Sequence, residues 1–318
     1  MTLQGLGGVK VARTLARMGD LWGVDIDPAA YRNRPTKVTN QLTLPGVEVS
    51  AFDWVGVQAD LGVPVLRTAG GRIRVGDTEG LKRELGTHHE IPVSVVLALD
   101  AGWLGLKHID GLEQELKAAD RDVSLVLAAP FNPLDGKRRI EALRRILRWG
   151  KDAGRNVELL RTDLSGLPAV MEGASVAAIG LSTSGRHLGV PLGRSQKAYD
   201  LRKRSPLVFV PRLLHWQRAN VLGELAPWNG AGVTHCDCAE CDSSQDDLQR
   251  FDTPQPKHDV REHDELALSQ VIREIMSAED PAKELKFRRI NAVQRGKSIG
   301  ASLDVRLDPP PAWLDAWD

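Results

Sequence analysis

From about residue 49 to residue 236, short apolar, β-branched runs alternate with segments of helical periodicity. The runs are VSAFDWVGV (49–57), VPVLRTAG (63–70), VSVVLALD (93–100), VSLVLAAPFN (123–132), VELLRTDLSG (157–166), VAAIGLSTSG (176–185), LVFVPRLLH (207–215) and AGVTHC (231–236). Between them lie the helical patterns TEGLKREL (78–85), IDGLEQELKAAD (109–120), GKRRIEALRRILRWG (136–150) and SQKAYDLRKR (195–204). In the third of these, Ile140, Leu143, Ile146 and Leu147 share one face and the arginines fall mostly on the other. Strands that read as continuous apolar runs belong to parallel sheets covered by helices. Eight such strands predict an α/β fold, a (β/α)8 TIM barrel. An open, doubly wound sheet is the alternative, because a strand count does not prove closure.

Residues 1–242 are therefore expected to form the barrel with an N-terminal extension, and residues 243–318 a C-terminal helical segment packed on it. The stretch 242–258 is polar and turn-rich. Residues 263–280 read as an amphipathic helix with Leu266, Val271 and Ile275 on one face, and a basic segment follows at 283–298. The two tryptophans of the Pro-rich tail are expected to pack back on the body. Near the start, Gly5, Gly7 and Gly8 resemble a dinucleotide-binding turn. The third glycine of that fingerprint is missing and only four residues precede the first, so a plain glycine-rich loop is the better reading. No run approaches the length of a membrane span and no leader with a continuous apolar core is visible, so a cytoplasmic protein is expected.

Cysteine usage sharpens this picture. The chain has three cysteines, an odd number that argues against a disulfide framework, and they fall together as Cys236-Asp-Cys238-Ala-Glu-Cys241. Three thiols this close can wrap one ion with little loop-closure cost. A structural zinc site needs a fourth ligand, commonly an imidazole. His263 at the opening of the amphipathic helix is well placed for it, with His235 and His258 as substitutes. Such a closed site would pin the helix and would not itself perform catalysis.

CDCAEC (236–241) and HDELALSQVIREIM (263–276) resemble, in order and spacing, the zinc pattern of the tRNA-guanine transglycosylase (queuine/archaeosine tRNA-ribosyltransferase) family. LALDAGWLGL (97–106), RRILRWGKDAG (144–154) and AIGLSTSG (178–185) are similar to further family motifs in the right order, so the resemblance covers roughly residues 93–280. It implies a (β/α)8 barrel that exchanges a guanine in tRNA, or in DNA for a 7-deazaguanine-directed branch, for a 7-deazaguanine base. One carboxylate attacks the sugar anomeric carbon and a second handles protons. By resemblance Asp100 takes the proton role, and Gly180, Leu181 and Ser182 contact the base. The family's nucleophile precedes the zinc loop, but here no carboxylate does, so the nucleophile is unassigned; Asp163 could supply a carboxylate from a neighbouring strand. A helix cap or turn residue is an equally ready reading of Asp100. The implied partners are a nucleic acid, a 7-deazaguanine-type base, and a homo- or hetero-oligomeric subunit. The alternative is a catalytically silent zinc-containing barrel serving as a partner subunit or nucleic-acid-binding module. Lys+Arg and Asp+Glu both total 42, which excludes holding nucleic acid by bulk charge. Contacts would have to be local, at the basic segments 137–148 and 283–297.

Overall fold

The computed structural model describes residues 2–4, 25–27, 42–44, 47–49, 54–68, 70–130, 132–134, 136–181, 183–190, 205–225, 232–244, 248–252, 257–302, 307 and 310–317. The chain divides into two compact units, Met1–Leu134 with Arg138–Val190, and Asp135–Lys137 with Pro191–Asp318.

The first unit begins with two short ladders. β1 (Thr2–Gln4) runs parallel to β2 (Asp25–Asp27), and β3 (Leu42–Leu44) antiparallel to β4 (Val47–Val49). A short strand thus stands directly before Gly5, and Gly5, Gly7 and Gly8 themselves lie outside the described residues. The residues between β1 and β2 lie outside the described set. The run 49–57 is also not one strand. Its second half belongs to helix α1 (Trp54–Asp60), because Trp54, Val55 and Gln58 fall on one helical face and are buried. Among the described residues of 63–70 an isolated bridge forms, Arg67 to Ser94, and no strand.

The main sheet follows. β5 (Arg72–Ile73), β6 (Val95–Asp100), β7 (Val123–Ala129), β8 (Val157–Thr162) and β9 (Val176–Ile179) lie side by side in chain order, all parallel. Between them run α2 (Thr78–Leu85), α3 (Ile109–Ala119), α4 (Lys137–Ala153) and α5 (Gly166–Met171). The order never reverses, as in one side of a barrel, but the sheet is not closed on itself. After β9 come a single turn of helix, α6 (Thr183–Arg186), and β10 (Leu188–Gly189). β8 shifts register between Leu159 and Thr162, around Arg161, whose φ is +61°. The end of β7 is thus free of β8 and pairs in parallel with β10 instead, Leu188 beside Ala128.

One face of the sheet is layered. Val96, Ala98, Val126, Ala128, Leu160 and Leu188 form its apolar centre. At the strands' N-terminal ends a polar layer replaces it. The Arg67 guanidinium grips Glu158 through two bonds of 2.9 and 3.0 Å, Ser124 donates to the same carboxylate, and Ser94 bonds Ser124 at 2.7 Å. Both charges are essentially buried, so each needs the other. Gln58 ties α1 to this layer, donating to the Arg67 carbonyl (2.7 Å) and accepting from the Arg67 amide (3.1 Å).

In the second unit the run 207–215 is a hairpin arm and not a barrel strand. β11 (Leu207–Val210) turns at Pro211 and pairs antiparallel with β12 (His215–Arg218). The Leu213 amide donates to the Val210 carbonyl, a turn with proline at its favoured second position. Residues 232–236 hold no strand. α7 (Ala219–Leu225), α8 (Ala239–Ser244), α9 (Lys257–Met276), α10 (Pro281–Ser302) and the terminal turn α11 (Trp313–Ala316) complete the unit. Trp313 and Trp317 are buried, as the tail pattern predicts. The expected helix 195–204 lies outside the described residues. Among the described residues no helix is long and apolar enough to cross a membrane.

Candidate metal centre and sheet-edge site

Cys236, Cys238, Cys241 and His263 come together, all four buried, with their ligand atoms within 4.8 Å of one another. The cysteines arrive by a tight turn in which the Cys241 amide donates to the Cys238 carbonyl at 2.9 Å. His263 arrives on α9. That helix begins six residues earlier than the amphipathic pattern suggests, so His263 sits in its second turn and not its first. Its buried stripe is Val260, His263, Asp264, Ala267, Leu268, Val271 and Ile275, the spacing of one helical face. Leu266, expected on that face, is 38% exposed. His235 points elsewhere, bonding Asp237 at 2.6 Å on the surface, and the His258 side chain lies outside the described set.

The histidine tautomer follows from its neighbours. His263 Nε2 lies 2.9 Å from the Phe209 carbonyl oxygen, which can only accept, so Nε2 carries the hydrogen. Nδ1 is left with its lone pair 3.4 Å from Cys238 Sγ and 3.3 Å from Cys241 Sγ. A tetrahedron with sulfur bonds of about 2.3 Å and a nitrogen bond of about 2.0 Å has S···N edges of about 3.5 Å and S···S edges of about 3.8 Å. The cluster has the size of such a cage. Around it the Phe251 ring packs on the imidazole, with centroids 5.2 Å apart, and Arg250 lies over the Phe251 ring. Asp264 accepts from the Phe209 amide (2.7 Å) and from Trp216 Nε1 (2.9 Å). The residue whose carbonyl orients His263 is thereby itself held through its amide.

Protons alone serve this cluster badly. Cys236, bonded by Cys238 and Cys241, has its thiol pushed far up, while Cys236 and Cys241 hold Cys238 far down. Burial disfavours a charged His263, yet Cys238 and Cys241 drive it up to about 10. Three thiol sulfurs and an imidazole nitrogen gathered in one buried space are a donor set that a single divalent cation can satisfy together. The buried Cys3His cluster is compatible with a structural metal site.

A second set of residues gathers at the C-terminal ends of the parallel strands in the first unit. Asp100 closes β6, and its Oδ1 accepts from Arg72 Nε at 2.7 Å. Asp163 follows β8. Its Oδ2 accepts from Asn132 Nδ2 (3.2 Å) and its Oδ1 from the Ser165 amide (2.9 Å). One strand, β7, separates β6 from β8 where the three pair; past that stretch β10 takes the place of β8 beside β7. Gly180 ends β9, its amide bonded to the Thr162 carbonyl. A Cβ there would overlap the Gly185 carbonyl, so only glycine lets β9 approach α6 this closely. The Leu181 carbonyl accepts from Arg186 (3.0 Å), and Ser182 lies outside the described residues. Sequence reasoning did not single out Arg72, Arg161 or His187. Burial, with Arg186 and Arg161 nearby, holds the His187 imidazole below its ordinary value, while Asp163 opposes them. The available signal was position: His187 immediately precedes the strand that pairs β7. Asp264 was equally missed, though its adjacency to His263 was in plain view. No protein-family model, curated protein or solved structure matches the chain.

Proposed function

We propose that the protein exchanges a guanine base in a nucleic acid, tRNA or DNA, for a 7-deazaguanine-type base, as the resemblance of its cysteine motif implies. The observation that carries this reading is the pair of carboxylates, Asp100 and Asp163, at one edge of an unreversed parallel sheet, where barrel-type enzymes place their chemistry. Asp163 supplies the attacking carboxylate and Asp100 moves the proton of the departing base. Splitting the substitution into two displacements through a covalent sugar ester lowers each barrier. Gly180, Leu181 and Ser182 border the base, which must leave its stack to be reached. In this reading the five sequential parallel strands do the work of a barrel wall, and the metal is zinc, favoured by the thiolate-rich set of four ligands. With every tetrahedral corner taken by protein, zinc acts on stability and takes no part in the exchange. Three buried cysteines joined in no disulfide fit a reducing cytoplasm.

A second reading, a silent partner subunit or binding module, is favoured by the bonds both carboxylates already make, which resemble those of ordinary turn residues. Incubation with radiolabelled guanine and either tRNA or duplex DNA separates the two. Incorporation that Asp100→Ala abolishes without unfolding the protein supports exchange. No incorporation into either nucleic acid, alone or with candidate partner subunits, sinks it. About one zinc per chain by elemental analysis, lost in Cys238→Ser, is expected for the metal.

A further inference from the structure

Beside the metal cluster, α9, α10 and the turn after β11 enclose a groove of about 350 Å3. Its acidic lining is already engaged. Glu274 and Glu284 both bond Arg288, at 2.9 and 2.6 Å, and Asp237 bonds His235. Two further guanidiniums reach the same groove, Arg212 and Arg295, and among the described residues neither makes an ion pair or a hydrogen bond. They are close enough to oppose each other: burial first, and then the charge of Arg212, hold Arg295 below the ordinary guanidinium value. The fold makes room for this. Gly232 sits at φ +55°, and a Cβ there would come within 2.7 Å of Arg212 Nη1.

Two like charges turned into one groove oppose each other until an anion joins them. Arginine pairs suit the oxygens of phosphate in particular, because the guanidinium fork matches their spacing. The same face of α10 adds the remaining parts. Phe287, Asn291 and Arg295 recur every four residues along one stripe of the helix, and Phe287 is 60% exposed on the groove's lip. The helix as a whole carries Lys283, Lys286, Arg288, Arg289, Arg295 and Lys297 against Glu284 alone. An exposed aromatic ring next to paired arginines on a basic helix is the combination that grips unpaired nucleic acid, backbone by charge and base by stacking.

We propose that this groove is a nucleotide subsite: Arg212 and Arg295 hold one backbone phosphate of a single-stranded stretch of nucleic acid, and Phe287 stacks on the adjoining base. It shares with the function proposed above only the nucleic-acid partner and needs none of its chemistry. Binding is therefore measured without turnover, by fluorescence anisotropy of a short labelled single-stranded oligonucleotide over a salt series. The pair Arg212→Gln/Arg295→Gln should weaken binding about tenfold or more and flatten the salt dependence by about one phosphate contact. Phe287→Ala should weaken it about tenfold while leaving the salt dependence unchanged. Lys283→Gln/Lys297→Gln removes the same charge from the same helix outside the groove, and should cost clearly less. The glutamine pair should melt at or above the wild-type temperature, since a repulsion is removed; a marked fall would show that the arginines serve structure instead. Equal losses in the two double variants, or wild-type binding by the groove pair, overturn the proposal. So does a nucleoside monophosphate that competes as well as the oligonucleotide, because the site would then be one for free nucleotides. A protein that binds the strand yet exchanges no guanine leaves this subsite standing and removes only the earlier reading.

Discussion

Asp264→Asn tests whether the metal centre is tuned from outside its ligands. The aspartate is 4% exposed and spends both oxygens, one on the Phe209 amide and one on Trp216 Nε1. Asparagine keeps one oxygen and turns an NH2 toward a donor. One bond to a charged acceptor is lost, about 1.5–3 kcal/mol, and a donor is left facing a donor. The loss falls on Phe209, the residue whose carbonyl fixes the His263 ring. Loss of such outer partners typically costs 10–100-fold in metal affinity, about 1.4–2.8 kcal/mol, the same size as the bond removed. Competition against a chromogenic chelator reads the affinity, and a thermal melt with saturating metal reads the residual packing loss. Metal affinity and melting temperature both at wild-type values in Asp264→Asn would refute the relay from hairpin to histidine.

Three further outcomes follow from the first unit. Glu158→Gln leaves Arg67 buried against half a partner and should cost about 3–5 kcal/mol in urea unfolding, with much of it recovered when Arg67→Met is added to Glu158→Met. Gly180→Ala forces the Gly185 carbonyl away and should destabilise by about 1–3 kcal/mol, measured the same way. Burial raises the Glu84 carboxyl above its ordinary value, against the Gly71 amide and Arg83, so its contribution to stability is greatest at acid pH and fades as pH rises through its folded-state value. Glu84→Gln should therefore gain on wild type as pH rises from acid toward neutral in parallel unfolding titrations; a pH-independent difference would contradict the burial argument.

How legible these features were depended on how far apart in the chain their causes lie. The CxCxxC turn closes over six residues, so spacing alone disclosed it. β6, β7 and β8 are buried on both faces because helices cover one and the layered core the other, and their mostly apolar runs announce that burial. The same logic failed at 49–57, where a short apolar run serves a helix as well as a strand and only the docking of Gln58 on Arg67 decides between them. At 207–215 the apolar residues are right for a strand, but Pro211 turns the chain back on itself. At 231–236 the segment must serve the cysteines, and no ladder forms over residues 232–236. Asp100 and Asp163 were visible as strand-end carboxylates. Their companions Arg72 and His187 were not, because a two-residue strand and a β10 that pairs a strand some 60 residues back leave almost no local pattern.

That β10 pairing has a consequence for the order of folding. Leu188 and Gly189 can join Ala128 and Ala129 only once β7 is in place and β8 has bent away at Arg161. The ladder is short and bridges distant chain, so loop closure precedes any return from its few bonds. It is the natural last step of assembly and the first to come undone. In hydrogen exchange the Val190 amide, bonded to the Ala129 carbonyl, should open on its own while β6 and β7 stay closed. A strand that breathes in this way would loosen the C-terminal end of the sheet without disturbing the layers beneath it.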